Sequence, residues 1–141
     1  MGDEQGGVTE FVLFLDENHC RNRHLIEAIG EFGIACEKHL DHFDPGVPDV
    51  EWLPVIAKQG WSLLTTDAKI KTNFVEKEAV RINKVRMFYF SRNNLAGFEM
   101  GQALRKALPH MAKIVSEQAP PFTASISRSG EVVVRNTFQA K

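Results

Sequence analysis

A run of five apolar residues that stops at an acidic cluster constrains the fold of this chain more than any other feature. Residues 11–15 are Phe-Val-Leu-Phe-Leu, and Asp16, Glu17 and Asn18 follow directly. An uninterrupted apolar run is typical of a strand that is covered on both faces, as central strands of parallel sheets are. In open α/β sheets, ligands bind beyond the carboxyl ends of the strands. The sequence therefore places Asp16 where a carboxylate is available for chemistry or for a metal ion.

Segments of strand and helix character alternate along the chain. Apolar and β-branched runs predict strands at 11–15, 34–37, 62–65 and 85–90. Between and after them, the sequence predicts helices at 19–32, 49–59, 73–82 and 97–117. Such alternation produces βαβ units and a parallel sheet, so we expect a compact α/β unit. The last β segments, on either side of Ser129-Gly130, predict a hairpin that joins the sheet edge or a partner.

Local residue patterns set the ends of the helices and the faces that they bury. Asn18 is a suitable N-cap for the first helix, and Gly33 and Gly60 are suitable stops for the first two. Helical spacing predicts that these apolar residues face the sheet: Leu25, Ile26, Ile29 and Phe32, then Val50, Leu53, Ile56 and Ala57, and finally Phe98, Leu104, Leu108, Met111 and Val115.

Length and composition favour one domain. A chain of 141 residues with 43% hydrophobic content can build a sizeable core. We expect a polar tail at 1–10, a domain at 11–117 and a hairpin extension of it at 118–141. No apolar stretch approaches the roughly 18–20 residues of a membrane span, and the start of the chain lacks the features of a signal peptide. The cysteines Cys20 and Cys36 fit reduced thiols, so we expect a cytoplasmic protein without membrane association.

The formal net charge of −1 conceals an asymmetry along the chain. Acidic residues outnumber basic ones by thirteen to four in residues 1–68, whereas basic residues outnumber acidic ones by ten to three in residues 69–113. An acidic site followed by a basic segment suits a metal-dependent enzyme that acts on a polyanion. The alternative is that the charges of the helices only keep their outer faces in solvent.

Two further aspartates occupy positions equivalent to Asp16. Asp49 opens the second predicted helix, and Asp67 follows the strand at 62–65. If these elements are neighbours, the three carboxylates converge, and two carboxylates about 4 Å apart repel by about 4 kcal/mol near a protein surface. A shared proton relieves this repulsion, but Mg²⁺ or Mn²⁺ relieves it at neutral pH, and an oxygen-only ligand set favours these ions over zinc. Each aspartate could instead cap a helix or a turn.

Two histidines and two tryptophans lie near these acids in the sequence, and we assign neither pair to the functional site. His39 and His42 lie three positions apart in a predicted loop. Because no Cys pair accompanies them, we expect a solvated loop rather than a metal site. Trp52 and Trp61 flank the second helix, and we assign them to core packing rather than to stacking on a nucleic-acid base.

The residues around the three aspartates resemble those of a known family. The matching segments are Phe14-Leu15-Asp16-Glu17-Asn18, Pro48-Asp49-Val50-Glu51-Trp52 and Leu63-Leu64-Thr65-Thr66-Asp67, with Lys69 after the last of them. They resemble PIN-like nuclease domains, particularly the small bacterial branch that includes toxins of toxin–antitoxin pairs. The resemblance covers residues 11–90. It implies a three-layer α/β/α sandwich around a mainly parallel sheet and a metal-dependent endoribonuclease.

The resemblance also implies roles for individual residues. Asp16, Asp49 and Asp67 correspond to catalytic metal ligands for Mg²⁺ or Mn²⁺, and Glu17 or Glu51 to an additional acid. On this basis, the residues expected to contact the RNA are Lys69, Lys71, Arg92 and Asn94. The partners that it implies are RNA, an antitoxin protein and a second copy of the chain.

The chain departs from the family pattern after the fourth predicted strand. PIN-like domains commonly carry a further acid there, whereas this chain has Ser91-Arg92-Asn93-Asn94. A serine, an arginine or an amide can contact phosphate or water, but none replaces a negative ligand. The departure leaves open an alternative, a catalytically degenerate PIN-like module that binds a protein partner.

Overall fold

A single six-stranded sheet organises the chain in the computed structural model, which describes residues 11–66, 74–92 and 94–138. The strand order is β2-β1-β3-β4-β5-β6. The strands are β1 (Val12–Leu15), β2 (Ala35–Lys38), β3 (Ser62–Thr65), β4 (Arg86–Phe90), β5 (Phe122–Ile126) and β6 (Val132–Asn136). The described helices are α1 (Arg23–Phe32), α2 (Asp49–Gln59), α3 (Phe74–Asn83) and α4 (Gly97–Glu117), with a short 3₁₀ turn at His39–Asp41.

The sheet is parallel from β2 to β5, and β6 is antiparallel to β5 at the edge. One face packs against α1 and α4 in a cluster that includes Leu13, Leu15 and Leu104. The other packs against α2 and α3 in a cluster that includes Phe14 and Trp52. The predicted three-layer α/β/α fold with a C-terminal hairpin is therefore confirmed.

Strand β1 shows why the sheet forms around it. All four of its residues are buried, and successive side chains enter opposite hydrophobic clusters. Because side chains alternate along a strand, only a strand covered on both faces can bury every residue in this way. The opening apolar run therefore lies at the centre of the sandwich, and Asp16 is the first residue beyond the strand.

Helix α1 begins later than expected. Its N-cap is Asn22, whose Oδ1 accepts hydrogen bonds from the backbone N–H groups of His24 at 2.9 Å and Leu25 at 3.4 Å. The predicted cap, Asn18, is exposed, so that prediction was wrong. A turn closes first, because the N–H of His19 donates to the backbone oxygen of Asp16. The predicted stop at Gly33 is confirmed by its left-handed φ of 92°.

Three of the residues predicted to face the sheet are exposed to solvent instead. Phe98 is 55% exposed, Val50 42% and Phe32 38%. All three lie in the first or last turn of a helix, at the margin of the face that it buries. The other residues predicted for the last helix, Leu104, Leu108, Met111 and Val115, are buried. None of the helices within the described ranges combines the length and apolar character needed to cross a membrane.

The turn of the C-terminal hairpin is held against α4. Gly130 has a φ of 89°, a conformation that favours glycine. A Cβ added at Gly130 would collide with the Cβ of Lys106 and lie 3.1 Å from the carbonyl oxygen of Ala103. The hairpin thus extends the same sheet, with β5 beside β4 and its turn packed closely on the last helix.

Candidate metal site at the carboxyl ends of the strands

Asp16 lies at the carboxyl end of β1 and is buried, with only 6% of its surface exposed. Its Oδ1 accepts a hydrogen bond from the backbone N–H of His19 at 3.1 Å. Its Oδ2 accepts one from the hydroxyl of Thr65, the last residue of the neighbouring strand β3, at 2.5 Å. The bond to His19 stabilises the turn after β1, but the N-cap of α1 is Asn22, so the expectation that Asp16 could cap this helix is wrong. Each oxygen keeps a further lone pair for another ligand.

The surroundings of Asp16 make its charge costly. Burial raises the pKa of this carboxyl above its ordinary value, and the negative charge of Asp49 raises it further. The charge of His19 and the hydrogen bonds from Thr65 and the His19 backbone act in the opposite direction but do not cancel the effect of burial. A buried carboxylate of this kind is stabilised when a cation binds beside it.

Asp49 is the first residue of α2 and faces Asp16 closely enough to affect its pKa. The N-cap of α2 is Pro48, so the expectation that Asp49 could cap this helix is wrong. The Asp49 side chain forms no hydrogen bond with any residue in the described part of the chain. The structure therefore places two of the three predicted aspartates near enough for their charges to interact and leaves one of them available to a ligand.

The remaining predicted acids differ in position. Glu17 is partly exposed, and its Oε1 accepts a hydrogen bond from the backbone N–H of Gly46 at 3.0 Å, which ties the loop before α2 to the end of β1. Glu51 is exposed in the first turn of α2. Asp67 lies outside the described residues. Asp16 and Asp49 therefore form the described part of the candidate site, and the ligand role of Asp67 stays a prediction.

The residues predicted to contact RNA are described only in part. Lys69 and Lys71 lie outside the described residues. Arg92 and Asn94 are exposed in the segment that follows β4. Arg92 lies near Glu99, whose pKa is lowered first by the backbone N–H of Ala96 and also by the charges of Arg128 and Arg92. Arg92 and Asn94 are thus accessible at the edge of the sheet where the strands end.

His19 is a site residue that the sequence analysis missed. Its ring is buried, with Nε2 2.6 Å from the hydroxyl oxygen of Thr66 and 4.0 Å from Oδ1 of Asp16. We expected His19 to open a helix, and no periodic pattern distinguishes it from other polar residues. The sequence signal that could have identified His19 is its position three residues after Asp16, because a turn there brings its ring back to the strand end.

The donors at this edge suit a hard divalent cation. Among the described residues, no group of three or more His, Cys, Asp or Glu side chains is arranged to hold a metal. Asp16 and Asp49 nevertheless provide two carboxylates, and Mg²⁺ is often bound by one or two carboxylates together with water and substrate phosphates. The raised pKa of Asp16 indicates that the charge of His19 and the hydrogen bonds to the carboxyl do not offset its burial.

The two histidines assigned to a solvated loop differ from each other. His39 is fully buried, so that expectation was wrong for it. Its ring centroid lies 6.2 Å from Phe14, 5.3 Å from Phe43 and 5.5 Å from Trp52, in the cluster beneath α2. His42 is exposed, 2.8 Å from Oε1 of Glu37. His39 is buried because its flat ring packs among aromatic side chains on one face of the sheet.

The tryptophan pair behaves as predicted. Trp52 is 3% exposed, and its ring centroid lies 5.5 Å from that of Phe14. Trp61 is partly buried and stacks on Phe14 at 6.0 Å with an interplanar angle of 14°. Core packing is therefore confirmed for both rings.

Because of Asp16, the stability of the metal-free protein is expected to fall as the pH rises above the ordinary carboxyl pKa of 3.8. Its pKa in the folded state lies above the unfolded value of 3.8, so the native state binds a proton that the unfolded state has released between these two pKa values. The stabilisation is full below the unfolded pKa and is lost as the pH rises through the folded pKa. Urea denaturation in EDTA measures it as the difference in unfolding free energy between wild type and Asp16→Asn. A difference that does not change with pH would contradict the burial of Asp16.

A family model matches the segment that forms the first four strands and the helices between them. The model described as a PIN-like domain matches residues 11–92, which run from the first apolar strand to the segment after β4. Comparison with curated proteins gives no match, and neither does comparison with solved structures. The matched segment is more than half of the chain and contains Asp16, Asp49 and Asp67. The chain therefore belongs to the PIN-like domain family.

Proposed function

We propose that this protein is a Mg²⁺- or Mn²⁺-dependent endoribonuclease that hydrolyses RNA phosphodiester bonds. The observation that carries the proposal is the buried Asp16 carboxylate, whose pKa is raised, beside Asp49 at the carboxyl ends of the strands. PIN-like domains are generally nucleases, so the family supports the same class of reaction. The proposal includes the biological role of a toxin that an antitoxin protein neutralises.

Asp16 and Asp49 would hold the ion, with Asp67 and Glu17 as further ligands. The chemistry that such an ion supplies is neutralisation of charge on a phosphate and a lower pKa for a bound water. Oxygen ligands match the preference of Mg²⁺ and Mn²⁺. The bond from Gly46 to Glu17 occupies one carboxylate oxygen and leaves the other for this role.

Residues around Asp16 orient its carboxylate, and nearby basic residues supply positive charge. The Thr65 hydroxyl and the backbone N–H of His19 fix both oxygens of Asp16, so the carboxylate does not need to reorient when substrate binds. The His19 ring, held by Thr66, places a group that can carry a positive charge beside Asp16. The RNA backbone would be held by the predicted contacts Lys69, Lys71, Arg92 and Asn94.

One observation favours a second candidate function, a non-catalytic interaction module. The exposed segment after β4 supplies Ser91, Arg92 and Asn94 instead of a further acid. A protein partner would then dock on the sheet edge formed by β6, where Val133 is 44% exposed. A second copy of the chain is another candidate for this edge.

An RNA cleavage assay separates the two functions. The purified full chain is incubated with single-stranded RNA in Mg²⁺, in Mn²⁺ and in EDTA. The ribonuclease proposal expects cleavage with either ion and none in EDTA, because the acids alone supply no positive charge for the phosphate. RNA that stays intact under all three conditions, with a normal circular dichroism spectrum, would contradict the ribonuclease and support the interaction module.

Binding of Mn²⁺ is expected to stabilise the protein through Asp16. At ten times Kd, binding to the native state adds about 1.4 kcal/mol, which raises Tm by about 3–6 °C for a chain of this size. Asp16→Asn should abolish the rise in Tm, whereas Asp41→Asn, which changes an exposed aspartate, should keep it. Differential scanning fluorimetry measures the shift. An equal rise in wild type and Asp16→Asn would exclude Asp16 as a ligand.

A further inference from the structure

A row of buried polar residues crosses the sheet from Asp16 towards the C-terminal hairpin. Thr65, which donates to Asp16, is the register partner of Tyr89 in β4, and Tyr89 is the partner of Ser125 in β5. Partners on neighbouring strands project from the same face of the sheet. At the end of the row, Arg135 in β6 donates from Nε to the Ser125 hydroxyl at 2.9 Å. The row therefore connects the acidic site with an arginine of the hairpin.

A cavity of about 150 Å³ lies beside this row, between α3 and strands β4 to β6. Its apolar lining is formed by Val80 and Met87, which are fully buried, and by Phe138, which is partly exposed, and Tyr89 adds a phenol. Tyr89, which lines the cavity, is the register neighbour of Thr65, the residue that donates to Asp16. Arg135 and Phe138, which help to form it, come from the hairpin segment and lie outside residues 11–92.

The charged groups at the cavity are all positive in the described part of the chain. Lys77 and Arg135 line it, and no acidic residue is found among its described lining residues. Neither cation forms an ion pair with a described residue. The bond to Ser125 fixes the Arg135 guanidinium by Nε and leaves its Nη groups for a ligand. This arrangement complements an anion, and a fixed guanidinium suits the oxygens of a phosphate.

The apolar lining and the positive charges of the cavity together indicate the kind of ligand. A free phosphate would make no use of the apolar lining, and an uncharged apolar ligand would make no use of the two cations. A nucleotide uses both, because its flat base packs on apolar and aromatic side chains while its phosphate meets the cations. The volume corresponds to about five water molecules at roughly 30 Å³ each, which favours the smaller pyrimidine ring.

We infer that this cavity binds one pyrimidine nucleotide of the RNA next to the bond that is cleaved, with the base on the Phe138 ring and the phosphate on Arg135 and Lys77. The placement next to a cleaved bond rests on the proposed ribonuclease function, whereas nucleotide binding itself does not. The hairpin is then a substrate-binding element added to the PIN-like domain.

The test is a titration of the full chain with uridine 5′-monophosphate in EDTA, followed by NMR or calorimetry. Arg135→Gln and Lys77→Gln are each expected to weaken binding about tenfold, the loss of one charged hydrogen-bond donor. Arg128→Gln is the matched control, because this exposed hairpin arginine pairs with Glu99 and does not line the cavity. Arg135→Lys should restore part of the affinity. Thermal melting establishes that each variant is folded.

The outcomes separate this inference from the proposed function. Uridine binding as tightly as the monophosphate, or monophosphate binding unchanged in Arg135→Gln, overturns the inference even if the protein cleaves RNA. Binding that depends on Arg135 in a protein that cleaves no RNA supports the nucleotide site and contradicts the ribonuclease. If both hold, Arg135→Gln should raise KM for a pyrimidine-rich RNA about tenfold and leave kcat similar.

Discussion

Replacing Asp16 with asparagine is expected to lower the rate of RNA cleavage at least about 100-fold, which corresponds to about 2.7 kcal/mol of transition-state stabilisation. Asparagine has nearly the same shape and can keep hydrogen bonds with Thr65 and the backbone N–H of His19. It cannot provide the negative charge that a divalent cation requires. Initial rates at saturating Mn²⁺, with circular dichroism spectra of both proteins, measure the effect.

The control for this experiment is an aspartate outside the site. Asp41→Asn makes the same chemical change at an exposed residue after β2, and its cleavage rate is expected to match that of wild type. Combining Asp16→Asn with Asp67→Asn tests the acidic group as a unit. Cleavage that persists in the double variant would exclude the proposed mechanism.

Burial of Asp16 gives this variant a second expected property. Asparagine removes a carboxyl whose pKa burial raises, so the metal-free variant should be more stable than wild type near neutral pH. Loss of activity together with a gain in stability is typical of residues that a protein keeps for function. A variant that loses both would instead indicate a structural role for the carboxylate.

The sheet could be predicted because its determinants are local. The run at 11–15 is long enough to identify a strand covered on both faces, and Gly33 and Gly60 mark helix ends by a conformation that favours glycine. The start of α1 could not be predicted in this way. Asn18 and Asn22 are equally good caps, and the choice depends on the turn that His19 makes with Asp16.

The candidate site was predictable only as far as strand order determines it. The carboxyl ends of parallel strands and the starts of helices meet at one edge of the sheet, which is why Asp16 and Asp49 were expected together. The place of His19 depends on contacts with Asp16 and Thr66 across two strands. The cavity with Arg135 depends on how the hairpin pairs with β4 and where α3 packs, and no short sequence pattern encodes these distant contacts.

Phe14→Ala is expected to reduce the free energy of unfolding by about 3–5 kcal/mol, the usual cost of truncating a buried phenylalanine. The Phe14 side chain is completely buried, and four rings surround it. Its centroid lies 5.5 Å from Trp52, 6.0 Å from Trp61, and 6.2 Å from both His39 and Phe43. These four rings cannot fully fill the cavity that removal of the Phe14 ring leaves. Urea denaturation followed by tryptophan fluorescence measures the loss.

Phe98→Ala is the matched control, because it removes the same side chain from a position that is 55% exposed. It should cost less than about 1 kcal/mol. Equal losses in both variants would contradict the packing of the cluster beneath α2. Phe14 also supports the site, because Trp52 joins it to α2, whose first residue is Asp49. In protein that remains folded, Phe14→Ala should therefore weaken Mn²⁺ binding, because α2 loses the contact that holds Asp49 beside Asp16.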